Sequence, residues 1–291
     1  MGLWMLVLLG CSKDVPTGQD SGLTTPEGAP HWALGEAFIG IAHRGASAEA
    51  PENTIEAVAR AAELGAQVVE VDAHSTADGE VVLLHDDSVD RTTDGTGNIH
   101  DLTLADAQAL DAGGWFSPDG GDTYPYADAG VVIPTLADAL AAHPDMFWEI
   151  EIKQSDPPIF DDVVAVVEAA GMAERVVLAS LDDDILADLR SAHPDYVTVV
   201  GQDEATRFAL LTEADEADYT PPAAILHVQN FLVDDAFIAR AERFDMKVHV
   251  WTINSSDGME DLIDLGVDGL ISDEVQTLVD VMSSRGLAGP E

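Results

Sequence analysis

From Phe38 onward, short β-branched apolar runs alternate with Ala/Leu-rich segments whose apolar residues recur at helical spacing. Eight runs read as strands: residues 38–44, 67–73, 146–152, 175–180, 196–201, 224–228, 247–253 and 267–272. Between them, residues 54–64, 159–170, 184–192, 234–244 and 274–284 carry helix patterns, and a further helix is expected near Leu136. Eight strand-helix units over about 250 residues predict an α/β fold of the closed (β/α)8 TIM-barrel type, with a doubly wound open sheet as the competing arrangement. Residues 81–130 break the repeat. There the apolar run Val81-Val82-Leu83-Leu84 leads through His85-Asp86 into a Gly/Asp-rich stretch, which predicts a small insertion after the second strand on the face of the βα loops. No linker divides the chain after residue 37, so residues 38–287 are expected to form one domain.

The residues before Phe38 follow another logic. Residues 3–9 (LWMLVLL) are apolar but too short to span a bilayer, and Leu8-Leu9-Gly10-Cys11 resembles a bacterial lipobox. Residues 1–10 therefore read as a lipoprotein-type signal peptide and Cys11 as the lipidated residue. Cys11 is also the only cysteine, which excludes an intrachain disulfide. A misassigned start or a buried N-terminal strand is the competing reading. Residues 11–37 have the Ser/Thr/Gly/Pro composition of a flexible tether. The resulting expectation is an exported lipoprotein, periplasmic or on the surface of a bacterium, that meets the membrane only through this anchor.

Composition narrows the possible partners. Fifty-five acidic residues against 12 Lys plus Arg give a net charge of −43, while a hydrophobic content of 46% is ample for a large core. A surface so negative repels nucleic acid and anionic lipid, and no basic run reverses the field. Lysine is restricted to Lys13, Lys153 and Lys247, so a lysine at a strand end is a candidate for a specific task.

Charged residues concentrate where four of the apolar runs end, the positions that build the site of a barrel. The run at 38–44 closes on His43-Arg44 before Gly45, although either residue alone reads better as a structural group. In Val69-Glu70-Val71-Asp72 the alternation sends both carboxylates to one face, where hard cations such as Ca²⁺ or Mg²⁺ relieve their repulsion. His85 supplies a second imidazole able to exchange protons near neutral pH. Glu149, Glu151 and Lys153 share a face; Lys153 could hold a phosphate, neutralise the acids or form a plain salt bridge. His74, in phase with Glu70 and Asp72, reads as a structural or solvated residue at the rim rather than a catalytic one, and Trp251 as a packing residue.

These residues resemble the glycerophosphodiester phosphodiesterase family. His43-Arg44-Gly45-Ala46, Pro51-Glu52-Asn53-Thr54, Glu70-Val71-Asp72, Asp78-Gly79, His85-Asp86 and Asp90-Arg91-Thr92-Thr93 follow its pattern in order and spacing, as do Ile133-Pro134-Thr135-Leu136, Glu151-Ile152-Lys153, Trp251-Thr252-Ile253-Asn254 and Gly266-Val267-Asp268-Gly269. The resemblance covers roughly residues 38 to 280 and implies a (β/α)8 barrel that hydrolyses a glycerophosphodiester to sn-glycerol 3-phosphate and an alcohol, in phospholipid headgroup salvage. It further implies one divalent cation, Ca²⁺ or Mg²⁺, on Glu70, Asp72 and Glu151. His43 and His85 match the family's acid/base pair, Arg44 and Lys153 its phosphate-binding groups, and Trp251 a pocket residue. Two other functions compete: lysophospholipase D or inositol-type phospholipase activity, with Trp115, Phe116, Phe231 and Leu232 either gripping an acyl chain or packing the insertion against the barrel, and a non-catalytic surface-binding lipoprotein. The completeness of the polar set disfavours the latter.

Self-repulsion of a chain this acidic weakens the compact state and is screened by salt, which points to a salty or divalent-rich environment. The melting temperature is expected to rise from low to high salt; a flat or falling dependence would end that reading.

Overall fold

The computed structural model describes residues 31–290, so the signal-like run, Cys11 and most of the expected tether lie outside the described residues. Eight parallel strands form the barrel: β1 (Ile39–His43), β2 (Val68–Ser75), β4 (Phe147–Ile152), β5 (Val176–Ala179), β6 (Val199–Val200), β7 (Ile225–Gln229), β8 (Lys247–Trp251) and β9 (Gly269–Ser272). Their order is β5-β4-β2-β1-β9-β8-β7-β6, and a parallel bridge between Leu178 and Thr198 joins the two ends. The closed alternative is therefore the one adopted, and all eight expected strands are present.

The helices are α1 (Ile55–Leu64), α2 (Leu104–Ala107), α3 (Leu136–Ala142), α4 (Phe160–Ala169), α5 (Asp183–Ala192), α6 (Gln202–Ala209), α7 (Glu213–Glu216), α8 (Asp235–Arg243), α9 (Ser256–Leu265) and α10 (Val275–Ser284). None among the described residues is long and apolar enough to cross a membrane.

Strand alternation decides what faces the lumen. Val69 and Val71 point outward into a shared core with Val58 and Ala61 of α1, Leu136 and Leu140 of α3 and Val163 of α4. Glu70 and Asp72 consequently point inward, beside Glu149 and Glu151, with which they are in register. A barrel lumen is ordinarily packed with apolar side chains, so carboxylates at these levels need partners.

The insertion begins with β3 (Val81–Leu83), which pairs antiparallel with the end of β2. It has its own core of Val82, Leu84, Val89, Ile99, Ala107, Ala112, Val131 and Ile133. Trp115 and Phe116 belong to this packing rather than to an acyl-gripping rim: Phe116 is buried edge-on between Trp115 and Tyr126. Leu232 also packs against the barrel core, whereas Phe231 is 75% exposed.

One boundary needs correction. The tether expected over residues 11–37 does not extend through residues 31–37, because Trp32–Leu34 forms a 3-10 turn beneath the N-terminal end of the barrel. Ala33 is buried with Val177, Val197, Val199 and Ile225, and the Trp32 ring lies 4.9 Å from that of Phe147. Three apolar residues are too few to show a period, so composition concealed the plug. Trp32→Ala is expected to destabilise the fold by about 2 kcal/mol, since it removes a partly buried aromatic. Urea denaturation measures this, and an unchanged midpoint would show that the turn merely rests on the surface.

Candidate active site

The mouth is built outward from the first strand. Beyond His43 the chain turns sharply through Arg44 and Gly45, with φ of 57° and 83°. A side chain at Gly45 would bring its Cβ to 2.6 Å from the Ala57 carbonyl carbon, so only glycine lets this turn sit against α1. The turn aims the Arg44 amide at Glu70 Oε2, to which it donates at 2.9 Å. The Pro51-Glu52-Asn53-Thr54 motif then does three separate things. Thr54 caps α1 by accepting from the Ala57 amide. Asn53 holds Asp72 from two sides, donating to Oδ2 at 2.7 Å and accepting from its backbone amide at 3.0 Å. Glu52 accepts from Arg44 Nη1 at 2.8 Å.

Glu70, Asp72 and Glu151 converge so that one oxygen of each lies within 4.8 Å of the others. Burial pushes the Glu70 carboxyl well above the usual range, and the neighbouring Asp72, Glu151 and Glu149 push it further. Burial also raises Glu151, only partly offset by Lys153. Asp72 is equally desolvated, yet Lys153 and Arg44 overcome that cost and lower it. Lys153 Nζ lies 2.7 Å from Glu151 Oε1 and 3.1 Å from Asp72 Oδ1, and Arg44 Nε lies 3.3 Å from Asp72 Oδ2. Glu70 Oε1 is buried and accepts no hydrogen bond. An all-oxygen donor set with one such unpartnered oxygen suits a hard divalent cation.

Each of the two histidines at the mouth is held by an aspartate. His43 Nδ1 is 2.6 Å from Asp273 Oδ1, and Asp273 also accepts from Ser47 Oγ at 3.0 Å and Asn254 Nδ2 at 2.7 Å. Burial opposes ionisation of Asp273, but these three donors outweigh it and hold its pKa at about 2. His85 Nδ1 is 2.8 Å from Asp86 Oδ1. A hydrogen bond from Arg91, followed by that of His85, holds Asp86 at about 2 despite some burial. An ionised carboxylate only accepts, so each Nδ1 carries the proton and each Nε2 is left free for chemistry. Arg91 also donates to Glu52 at 2.7 and 2.8 Å, which ties the insertion to the carboxylate that holds Arg44.

The structure thus brings His43, Arg44, Glu70, His85, Glu151, Lys153 and Trp251 around one cavity, with Asp72 fully buried behind it. Cys11 lies outside the described residues. Of its two expected roles His74 takes the structural one rather than the solvated one: it is 2% exposed, because the β3 hairpin covers the end of β2. Sequence reasoning missed Asp273, although its position in phase with Ile271, one residue past an apolar strand, was a usable signal. It also left Glu149 without a partner; the partner is His227, whose Nδ1 is 3.0 Å from Glu149 Oε1.

Residues 43–277 match the glycerophosphoryl diester phosphodiesterase family. The chain belongs to that family. It is 34% identical over 255 residues to a glycerophosphodiester phosphodiesterase of Caldanaerobacter subterraneus subsp. tengcongensis, covering 84% of this chain and 98% of the relative. A crystal structure of the Agrobacterium tumefaciens glycerophosphodiester phosphodiesterase superposes with a TM-score of 0.70 at 26% identity, covering 84% of this chain and 99% of that one. An Oleispira antarctica phosphodiesterase in complex with the product sn-glycerol-3-phosphate superposes at 0.71 with 26% identity, covering 86% and 99%. As a member of the glycerophosphoryl diester phosphodiesterase family, the protein is a phosphodiester hydrolase acting on glycerophosphodiesters.

The depressed Asp273 pKa gives a stability signature. Its contribution is fully present above its ordinary value of 3.8 and is lost as pH falls through about 2. The stability difference between the wild type and Asp273→Asn is therefore expected to narrow across that interval in urea melts. A difference independent of pH would show that the ionised pair is not formed.

Proposed function

We propose that the protein releases sn-glycerol 3-phosphate and an alcohol from soluble glycerophosphodiesters, using a divalent cation, calcium or magnesium, held by Glu70, Asp72 and Glu151. The observation that carries this reading is the juxtaposition, in one cavity, of three acids sharing an oxygen-rich site, two cationic side chains and two aspartate-anchored imidazoles. The cation supplies Lewis-acid stabilisation of a phosphoryl oxygen. Arg44 and Lys153 bind and neutralise the phosphate oxygens, and Trp251 lines the same pocket. Neutral imidazole at one histidine Nε2 accepts the proton of the attacking oxygen, which is water or the glycerol 2-hydroxyl; the latter expels the alcohol to leave a cyclic phosphate that water then opens to sn-glycerol 3-phosphate. The other histidine, protonated, gives a proton to the departing alkoxide, and the aspartate behind each ring stabilises its imidazolium form. Supply of glycerol phosphate from degraded phospholipid headgroups is the role this activity fits.

A second substrate reading is favoured by one observation. The cavity wall formed by Ala179, Leu181, Val199 and Val200 is apolar, and Phe231 stands exposed after β7, so a lysophospholipid acyl chain has a surface to lie on. Export and anchoring through Cys11 are part of the same proposal, supported by the lipobox-like Leu8-Leu9-Gly10-Cys11 and the absence of any other cysteine.

Purified protein is expected to release sn-glycerol 3-phosphate from glycerophosphocholine, to lose this activity in EDTA and to regain it with Mg²⁺ or Ca²⁺. His43→Ala should lower kcat by about 10³-fold or more with the fold retained. Glu70→Gln should raise the metal concentration needed for half-maximal rate. Turnover indifferent to EDTA, or undiminished in His43→Ala, would overturn the mechanism; faster turnover of lysophosphatidylcholine would move the substrate assignment to the acylated diester.

A further inference from the structure

Below the mouth, the lumen holds a second polar cluster with a different donor chemistry. Glu149 of β4, His227 of β7 and His249 of β8 all point inward, and one ligand atom from each lies within 4.8 Å of the others. β7 and β8 are neighbours with His227 and His249 in register, whereas β5 and β6 separate β4 from β7 around the wall, so Glu149 and His227 meet across the lumen. Besides the contact of His227 Nδ1 with Glu149, His227 Nε2 is 3.2 Å from His249 Nδ1. His249 is 1% exposed, and its Nε2 has no partner. Burial holds the His249 imidazole well below its ordinary pKa, which keeps it in the neutral form that binds metals. Room for its ring comes from Gly269, where a Cβ would lie 2.7 Å from His249 Cδ2.

The existing partners leave this cluster incompletely satisfied. The contacts from His249 through His227 to Glu149 occupy three of the four imidazole nitrogens, and the fourth, His249 Nε2, is buried without a partner. Two imidazoles and one carboxylate also form a ligand set used by zinc with a fourth position open. The contact with Glu149 uses His227 Nδ1 and that with His249 uses Nε2, so a shared ion would take one of these two nitrogens and break the other contact. Glu149 and His227 line the cavity while His249 lies behind them, so the open side of the cluster faces the substrate space.

We propose that Glu149, His227 and His249 form a second metal site, selective for a nitrogen-preferring transition-metal cation of the zinc type and distinct from the all-oxygen group above it. Donor chemistry separates the two: carboxylates alone favour magnesium or calcium, whereas imidazole favours zinc and its neighbours.

The test uses the purified protein stripped with EDTA, then given Mg²⁺ in excess to fill oxygen sites and one equivalent of Co²⁺. The expected result is the intense visible absorption of a tetrahedral, nitrogen-ligated cobalt ion, displaced by Zn²⁺, together with one zinc per chain by elemental analysis after dialysis. Both signals should be lost in His249→Gln and in Glu149→Gln, and both should persist in Glu70→Gln. Glu149→Gln preserves side-chain shape, and circular dichroism of each variant separates lost binding from lost folding. A wild type that shows only weak octahedral cobalt absorption and retains no zinc would overturn the proposal, leaving the cluster a hydrogen-bonded chain. Loss of both signals in Glu70→Gln would also overturn it, by showing that a single merged centre binds the ion.

Discussion

Gathering several carboxylates at one end of a parallel barrel is the constraint around which this molecule is arranged. Glu70, Asp72, Glu149 and Glu151 are fixed inward by the same alternation that fills the outer core with Val69, Val71 and Ile150, so the fold cannot keep its core and release its acids. Two cationic side chains answer that repulsion directly. Lys153 and Arg44 both reach Asp72, the acid that is lowered, while Glu70 is left raised and with one oxygen unpartnered. The imbalance is what makes the mouth receptive to added positive charge, and it is unusual only in being set inside a chain whose surface is already strongly negative.

Much of this was legible in the sequence because it follows a period. Alternation alone placed Glu70 with Asp72 and Glu149 with Glu151 and Lys153, and the eight apolar runs gave the strand count. What stayed hidden depends on contacts between elements far apart in the chain. Asp273 meets His43 across 230 positions, and Glu149 meets His227 across the lumen, pairings that no local pattern encodes. Whether His74 is structural or solvated stayed open for the same reason: its exposure is decided by the insertion folding back over β2, not by its own strand. The N-terminal plug was missed because its composition is that of a loop and its burial is supplied by strand ends far along the chain.

The two imidazoles of the mouth arise from different structural sources and yet are held alike. His43 ends a barrel strand and is anchored by the residue after the last strand; His85 belongs to the insertion and is anchored by its own neighbour. Glu52 makes these one frame, since it binds Arg44 on one side and Arg91 on the other, and Arg91 in turn holds Asp86. The insertion is therefore not an appendage: its small core exists to present one ring at a fixed place over a site built by the barrel. Such a bridge predisposes substitutions at these positions to non-additive effects, because each acts on geometry shared by the others.

The turn formed by Trp32, Ala33 and Leu34 gives the molecule a polarity. It closes the end of the barrel where the strands begin, and the cavity opens where they end. His31, where the described residues begin, therefore lies at the pole opposite the mouth, and a diester reaches the acids and imidazoles from one end of the barrel alone.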